Sequence, residues 1–197
     1  MAQPYQQQPV AAPVQATAPE RRRALLIGIN YVGTRFELQG CVNDTTRLKS
    51  LLERQGFTEI TVLTEASATR KNILDACRWL VGGAQPRDAL FFHFSGHGSQ
   101  VEDEDGDEED GFDETIVPYD HSKSGQIVDE ELWKCLVEPL PEGARLTSIM
   151  DCCHSGTGRD LPWQYETRTK SWKLEALPAF ARADVQLFSA CGDSQTA

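Results

Sequence analysis

Residues 88–98 read DALFFHFSGHG and residues 145–156 read RLTSIMDCCHSG; each is an apolar run of strand length that breaks into a glycine-bearing turn. Such runs suit strands buried on both faces of a parallel sheet. The flanking sequence repeats the theme. RRRALLIGIN carries a continuous apolar run over residues 24–29, and EITVLT (59–64) predicts another strand. Between them, NDTTRLKSLLERQGF predicts a helix capped by Asn43 or Asp44, with Leu48, Leu51 and Leu52 as its buried stripe and Gly56 as its stop. Residues 69–81 predict a second helix, ended by Gly82 and Gly83. TIVP (115–118) reads as a short strand, DEELWKCLVEPL (129–140) as a helix with acids in its first turn, and DVQLFSACGD (184–193) as a final strand. Residues 157–183 show no periodicity and read as an exposed loop. Strands alternating with helices imply an α/β fold whose mostly parallel sheet is covered on both faces. Chemistry in such sheets gathers at the carboxyl ends of the strands. His97 and Cys153 both fall just past strand ends, although 56 positions separate them.

Composition narrows the function. The 197 residues suffice for one domain with a sizeable core, and 40% apolar with 25% charged residues is ordinary for a globular protein. No stretch approaches the roughly 20 apolar residues of a membrane span. Residues 1–20, rich in Gln, Pro and Ala, predict a disordered leader with none of the marks of a secretory signal, so a cytoplasmic or nuclear protein is expected. The net charge of −11 is local: residues 102–114 hold ten of the 30 acids and no base, which leaves 20 acids against 19 bases elsewhere. A solvated acidic loop or a cation site explains that run. No basic patch supports nucleic-acid binding. The six cysteines have neither the density nor the spacing of a disulfide scaffold, and no C-x-x-C pair suggests zinc.

Free thiols raise the question of which one is activated. A thiol attacks a carbonyl as thiolate, its ordinary pKa is about 8.5, and a neighbouring imidazole can take the proton and later return it to a leaving amine. Gly96, Gly98 and Gly156 allow close backbone approach around His97 and Cys153. The plain alternatives are a buried small hydrophobe for a cysteine and a structural role for a histidine. Those readings apply to Cys77, Cys135 and Cys191, and to His93 and His121.

FSGHGSQ (94–100) and DCCHSG (151–156), in this order and spacing, resemble the metacaspases, caspase-like cysteine peptidases. GINYVGTRFELQGCVND (28–44), DGFDETIVPYD (110–120) and GQIVDEEL (125–132) resemble further blocks of that family, and the likeness covers residues 23–197. The Gln/Pro-rich leader and the short segment after residue 156 look most like a type I member with a prodomain. The implied fold is the three-layer caspase/haemoglobinase-like one, lacking its C-terminal small-subunit part.

The resemblance implies His97 as base and Cys153 as nucleophile, with Cys152 a variable neighbour. It implies cleavage after Arg or Lys, with Asp44, Ser95 and Asp151 in the substrate pocket and Cys41 nearby. Carboxylates suit that role because they form charge-assisted, potentially bidentate bonds to a guanidinium. Calcium is implied as an activating cofactor held by Asp113, Asp129, Glu130 and Asp160, where Glu130 replaces the expected Asp. Clustered carboxylates suit calcium. The acidic run is no EF-hand, because its sixth position from Asp103 or Asp105 is Glu108 or Asp110 instead of Gly. The expected partners are proteins or peptides with Arg or Lys before the scissile bond, and a small subunit in cis or trans. A last strand at 184–189 with nothing beside it would be an open sheet edge. Two rival readings are a non-proteolytic scaffold or aggregate-binding protein, inactive without a small subunit, and a legumain-like peptidase of the same fold.

Overall fold

A computed structural model describes residues 20–102, 112–152, 161–166, 169–174 and 180–190. The apolar run predicted at 24–29 forms β1 (Arg22–Gly28), followed by α1 (Cys41–Arg54) and β2 (Glu59–Thr64). A 3-10 turn (Glu65–Ser67) leads into α2 (Arg70–Val81), then β3 (Ala89–Ser95) and β4 (Gly98–Glu102). Next come β5 (Phe112–Ile116), a single turn α3 (His121–Ser124), β6 (Ile127–Val128), α4 (Asp129–Leu136) and β7 (Arg145–Asp151). The strands β8 (Trp163–Glu166), β9 (Ser171–Leu174) and β10 (Asp184–Ser189) complete the described elements.

Five strands pair in parallel in the order β10-β7-β3-β1-β2. Right-handed crossovers require α1 and α2 to lie on opposite faces, because β2 and β3 flank β1 on opposite sides. The side chains agree. Ala24 and Leu26 pack with Leu48 and Leu52 of α1, whereas Leu25 and Ile27 pack with Ile73, Leu74 and Leu80 of α2 and with Leu132 and Leu136 of α4. This is the expected three-layer α/β architecture. The strand order reverses between β1 and β3. A separate antiparallel sheet, β4-β5-β6, follows β3, and Val117 N–H donates to His97 O (3.0 Å) to tie the two sheets together.

Two anchors hold the layers. Asp88, 2% exposed, accepts from Arg21 Nε (3.1 Å) and from Gln85 N–H (2.9 Å) at the entrance to β3. Arg70 grips both carboxylate oxygens of Glu131 (2.7 and 2.5 Å) and donates to Gln126 O (3.1 Å), which fastens α2 to the start of α4. Nη2 alone meets both carboxylate oxygens, while Nε holds Gln126 O, so the guanidinium is fixed from two directions.

The structure corrects several sequence expectations. Neither Asn43 nor Asp44 caps α1: the helix starts at Cys41 after Gly40, and both residues lie in its first turn. Gly40 takes that place because its φ of 107° suits only glycine. Leu51 is exposed, because it faces the open cleft beside α1 instead of the sheet. The segment 157–183 contains a hairpin, β8–β9, in place of an aperiodic loop; Tyr165 and Trp172 meet across it edge to face at 5.2 Å. Short strands with exposed aromatics leave no hydrophobic period to read. The strand predicted at 115–118 is shifted to Phe112–Ile116, and the helix predicted to 140 ends at Leu136. Thr69 does cap α2, accepting from Asn72 N–H. β10 lies at the sheet edge as expected. The leader 1–19 and the acidic residues 103–111 lie outside the described residues.

Gly28 ends β1 directly beneath the first turn of α1. A Cβ there would come within 2.3 Å of Thr45 Oγ1 and 2.6 Å of the Cys41 carbonyl oxygen. Backbone cannot step aside as a side chain can, so Gly28→Ala should cost about 1–3 kcal/mol of stability. A urea titration checks this; an unchanged midpoint would show that α1 is free to shift.

Candidate active site

Parallel register sets the site's frame. Gly28 pairs with Ser95, and Ser95 pairs with Asp151, so the carboxyl ends of β1, β3 and β7 finish level. The ladder runs one step further: Ile29 N–H donates to Ser95 O (3.0 Å) and Gly96 N–H to Asp151 O (3.3 Å). His97 follows Ser95 by two residues, and Cys153 follows Asp151 by two. Cys153 itself lies outside the described residues, as does Asp160. Cys152 is buried at the end of β7 among the core residues.

His97 is held at its backbone and at its ring by one segment, the loop after β1. Its N–H donates to the Tyr31 hydroxyl (3.1 Å), which donates onward to Val117 O (2.6 Å). The Tyr31 ring lies 4.9 Å from the imidazole, and the Phe36 ring stands edge-on to it at 6.2 Å. Nε2 of His97 meets the carbonyl oxygen of Phe36 at 2.8 Å. A carbonyl only accepts, so this contact requires the proton on Nε2 and leaves the lone pair on Nδ1, the arrangement a general base needs. Burial pushes the Tyr31 phenol well above its ordinary range, with its bond to the His97 backbone opposing, so the hydroxyl stays a neutral donor. Gly96 keeps this corner open, since a Cβ there would crowd the Tyr31 hydroxyl (3.1 Å) and the Phe94 ring (3.0 Å).

Beside the strand ends lies a cleft of about 570 Å³, lined by Asp44, His93, Ile149, Asp151 and Phe188 among others. Ser95 Oγ donates to Asp151 Oδ2 (3.3 Å), and the Cys41 thiol hydrogen-bonds to the Ser95 side chain. Burial raises the Cys41 pKa, with the Ser95 bond opposing and the Asp151 and Asp44 charges adding to the rise; this thiol is no nucleophile at neutral pH. The four pocket residues read from sequence therefore come together: Cys41, Asp44, Ser95 and Asp151. Asp44 sits in the first turn of α1, and both carboxylates keep water contact, Asp44 being 46% exposed beside Arg47 (3.5 Å). His93 is buried, and its Nδ1 has no hydrogen-bond partner among the described residues, so it is not the satisfied structural histidine expected. Burial lowers its pKa against the pull of Asp151 and Asp44, which keeps the cleft wall uncharged there.

Of the four expected calcium residues, Asp113 and Asp129 are buried on β5 and at the start of α4. The β5–β6 pairing, Thr115 opposite Val128, brings these two elements together, and Glu130 adjoins Asp129. Among the described residues no group of three or more His, Cys, Asp or Glu side chains is placed to hold a metal ion. The donor chemistry present, carboxylate oxygens partly withdrawn from water, fits a hard divalent cation.

A family model for the metacaspase, peptidase C14 domain, matches residues 22–162. The chain belongs to the metacaspase family. It is 52% identical over 162 residues to Metacaspase-1 of Schizosaccharomyces pombe, covering 78% of this chain and 38% of that protein. It is 49% identical over 185 residues to Metacaspase-1 of Yarrowia lipolytica, covering 84% of this chain and 40% of that one. The chain thus spans about two-fifths of the length of these curated relatives. The crystal structure of protein GSU0716 from Geobacter sulfurreducens superposes with a TM-score of 0.67 at 26% identity, covering 89% of this chain and 75% of that one.

In this metacaspase chain, residue type alone gives Tyr31 and Phe36 of GINYVGTRF no functional role. The available signal was an aromatic placed just beyond a buried strand's carboxyl end. A contact made through a backbone carbonyl, as at Phe36, leaves no trace in residue type.

Proposed function

We propose that this chain is the catalytic region of a cysteine endopeptidase that cleaves proteins after Arg or Lys. The observation that carries the reading is His97, held at the end of β3 with its Nε2 committed to Phe36 O, in register with the strand that leads to Cys153. In this reading Nδ1 of His97 takes the proton from the Cys153 sulfur. The thiolate adds to the scissile carbonyl carbon, and the resulting imidazolium gives its proton to the leaving amine as the C–N bond breaks. Water then attacks the thioester, with Nδ1 again removing the proton, and the thiol is regenerated. Backbone N–H groups of the glycine-bearing turns are suited to stabilise the oxyanion.

Asp44 and Asp151, with Ser95 and Cys41 between them, support selection of a basic side chain. His93 and Cys41 are held neutral by burial, so the charged groups lining the cleft are Asp44 and Asp151 with Arg47 and Arg54, and the two carboxylates are the groups suited to a basic side chain. Asp113, Asp129, Glu130 and Asp160 are the residues to hold calcium, which would supply charge neutralisation to their carboxylates. A small subunit, in cis or trans, is the proposed partner at the open edge of β10. The scaffold alternative has no observation of its own in the described residues.

Cys153→Ala should abolish peptide cleavage while Cys152→Ala keeps most of it, and His97→Ala should cost on the order of 10³-fold or more in kcat/KM. Labelling with a peptidyl-Arg electrophile reads the same difference. The opposite ranking of the two cysteines would overturn the assignment.

Each charge-assisted bond to an incoming guanidinium is worth about 1.5–3 kcal/mol, so two of them imply discrimination of Arg over Asp of about 10²- to 10⁴-fold. Exposure of Asp44 and Asp151 places the expected value at the lower end. Asp151→Asn should keep the cleft's shape yet lose much of this preference in a peptide library. Cleavage after Asp by the unaltered protein would refute the pocket.

Calcium at millimolar levels should raise turnover, and Asp129→Ala should remove the response. Turnover that a chelator leaves unchanged would exclude the metal.

A further inference from the structure

We infer that Glu65, at the carboxyl end of the outermost strand β2, is a positioning residue for the His97 imidazole; the inference rests on the peptidase reading above. Glu65 touches neither His97 nor the cleft. It acts through residues 30–38, the segment that among the described residues supplies the hydrogen bonds to the His97 ring and backbone N–H.

Glu65 opens the 3-10 turn after β2, and its carboxylate reaches across the end of β1. Oε1 accepts from Asn30 N–H (2.7 Å) and Oε2 from Val32 N–H (3.4 Å). One carboxylate thus grips the backbone on both sides of Tyr31. Tyr31 adopts a left-handed conformation, φ 53°, and Glu65 itself has φ 45°. Such backbone is unfavourable for a bulky residue and persists only where the surroundings over-determine it. Here it turns the Tyr31 side chain inward, to 1% exposure, so that its hydroxyl meets Val117 O and His97 N–H.

The rest of the loop is built on that turn. Thr34 N–H and Oγ1 both donate to Tyr31 O (3.1 and 2.8 Å), and Leu38 N–H closes back on Asn30 O (2.7 Å). Phe36 lies inside this closed loop, and its carbonyl oxygen meets His97 Nε2. Apolar burial fixes the loop at Tyr31 and Leu38, but Val32 is 58% and Phe36 44% exposed. Between those points its geometry depends on polar anchors: the Glu37 carboxylate accepts from Gly33 N–H (2.8 Å) inside the segment, and Glu65 is the carboxylate that reaches it from another strand end. Without it the left-handed Tyr31 can relax, the Phe36 carbonyl moves, and the imidazole is free to take the other tautomer.

The test uses the intact protein with ring-¹⁵N-labelled histidine, the His97 signals being assigned with His97→Asn. The unaltered protein should show His97 as the Nε2–H tautomer. Glu65→Ala should show a mixture with the Nδ1–H tautomer, and kcat should fall about 10- to 100-fold with KM within about threefold. Glu65→Gln, which keeps one carbonyl acceptor, should stay within about fivefold of the unaltered protein and keep its tautomer. The inference is overturned if Glu65→Ala keeps both tautomer and kcat, or if kcat falls only with the folded fraction while the tautomer is unchanged. It is equally overturned if the unaltered protein carries its proton on Nδ1. Absence of Cys153-dependent turnover would refute the peptidase reading alone, and the tautomer would still decide the role of Glu65.

Discussion

Parallel pairing of β3 between β1 and β7 sets Gly28, Ser95 and Asp151 side by side, and the geometry of the site follows from that level finish. Each strand end hands its chain to a different loop: after β1 comes the Tyr31–Phe36 segment, and after β3 comes the turn bearing His97. Those two loops meet: the Tyr31 hydroxyl accepts from His97 N–H, and Phe36 O contacts His97 Nε2. Two glycines make the close approach possible. Gly28 admits the first turn of α1, and Gly96 admits the Tyr31 hydroxyl.

Around the His97 turn, buried polar groups are compensated by hydrogen bonds that double as alignment, whereas His93 Nδ1 on the cleft wall has no partner among the described residues. The Tyr31 hydroxyl satisfies the His97 N–H and the Val117 carbonyl together, so it joins the main sheet to the β4–β6 sheet at the catalytic turn. Burial keeps this hydroxyl, the Cys41 thiol and the His93 ring uncharged. The charged lining of the cleft is then Asp44 and Asp151 with Arg47 and Arg54, and Arg47 already stands 3.5 Å from Asp44.

Much of the frame was legible because buried parallel strands leave continuous apolar runs. β2 falls on its predicted span of 59–64, and α2 begins after the Thr69 cap that the sequence signals. What failed did so for local physical reasons. The start of α1 follows the positive φ of Gly40 and overrides two good capping residues downstream. The β8–β9 hairpin buries too little to imprint a pattern.

The sequence by itself determined the α/β class, the family, and the residue types at the pocket, because apolar runs, glycine-flanked turns and a histidine–cysteine pair are properties of order along the chain. Only the tertiary structure decided that Cys41 and Asp44 come from a helix to meet Ser95 and Asp151 from two strands. It alone decided that a carbonyl at Phe36 fixes the His97 tautomer and that Glu65 clamps the loop providing it. Those contacts run through backbone atoms and across 35 to 86 positions of chain, and neither backbone carbonyls nor long-range register leave a mark on residue identity.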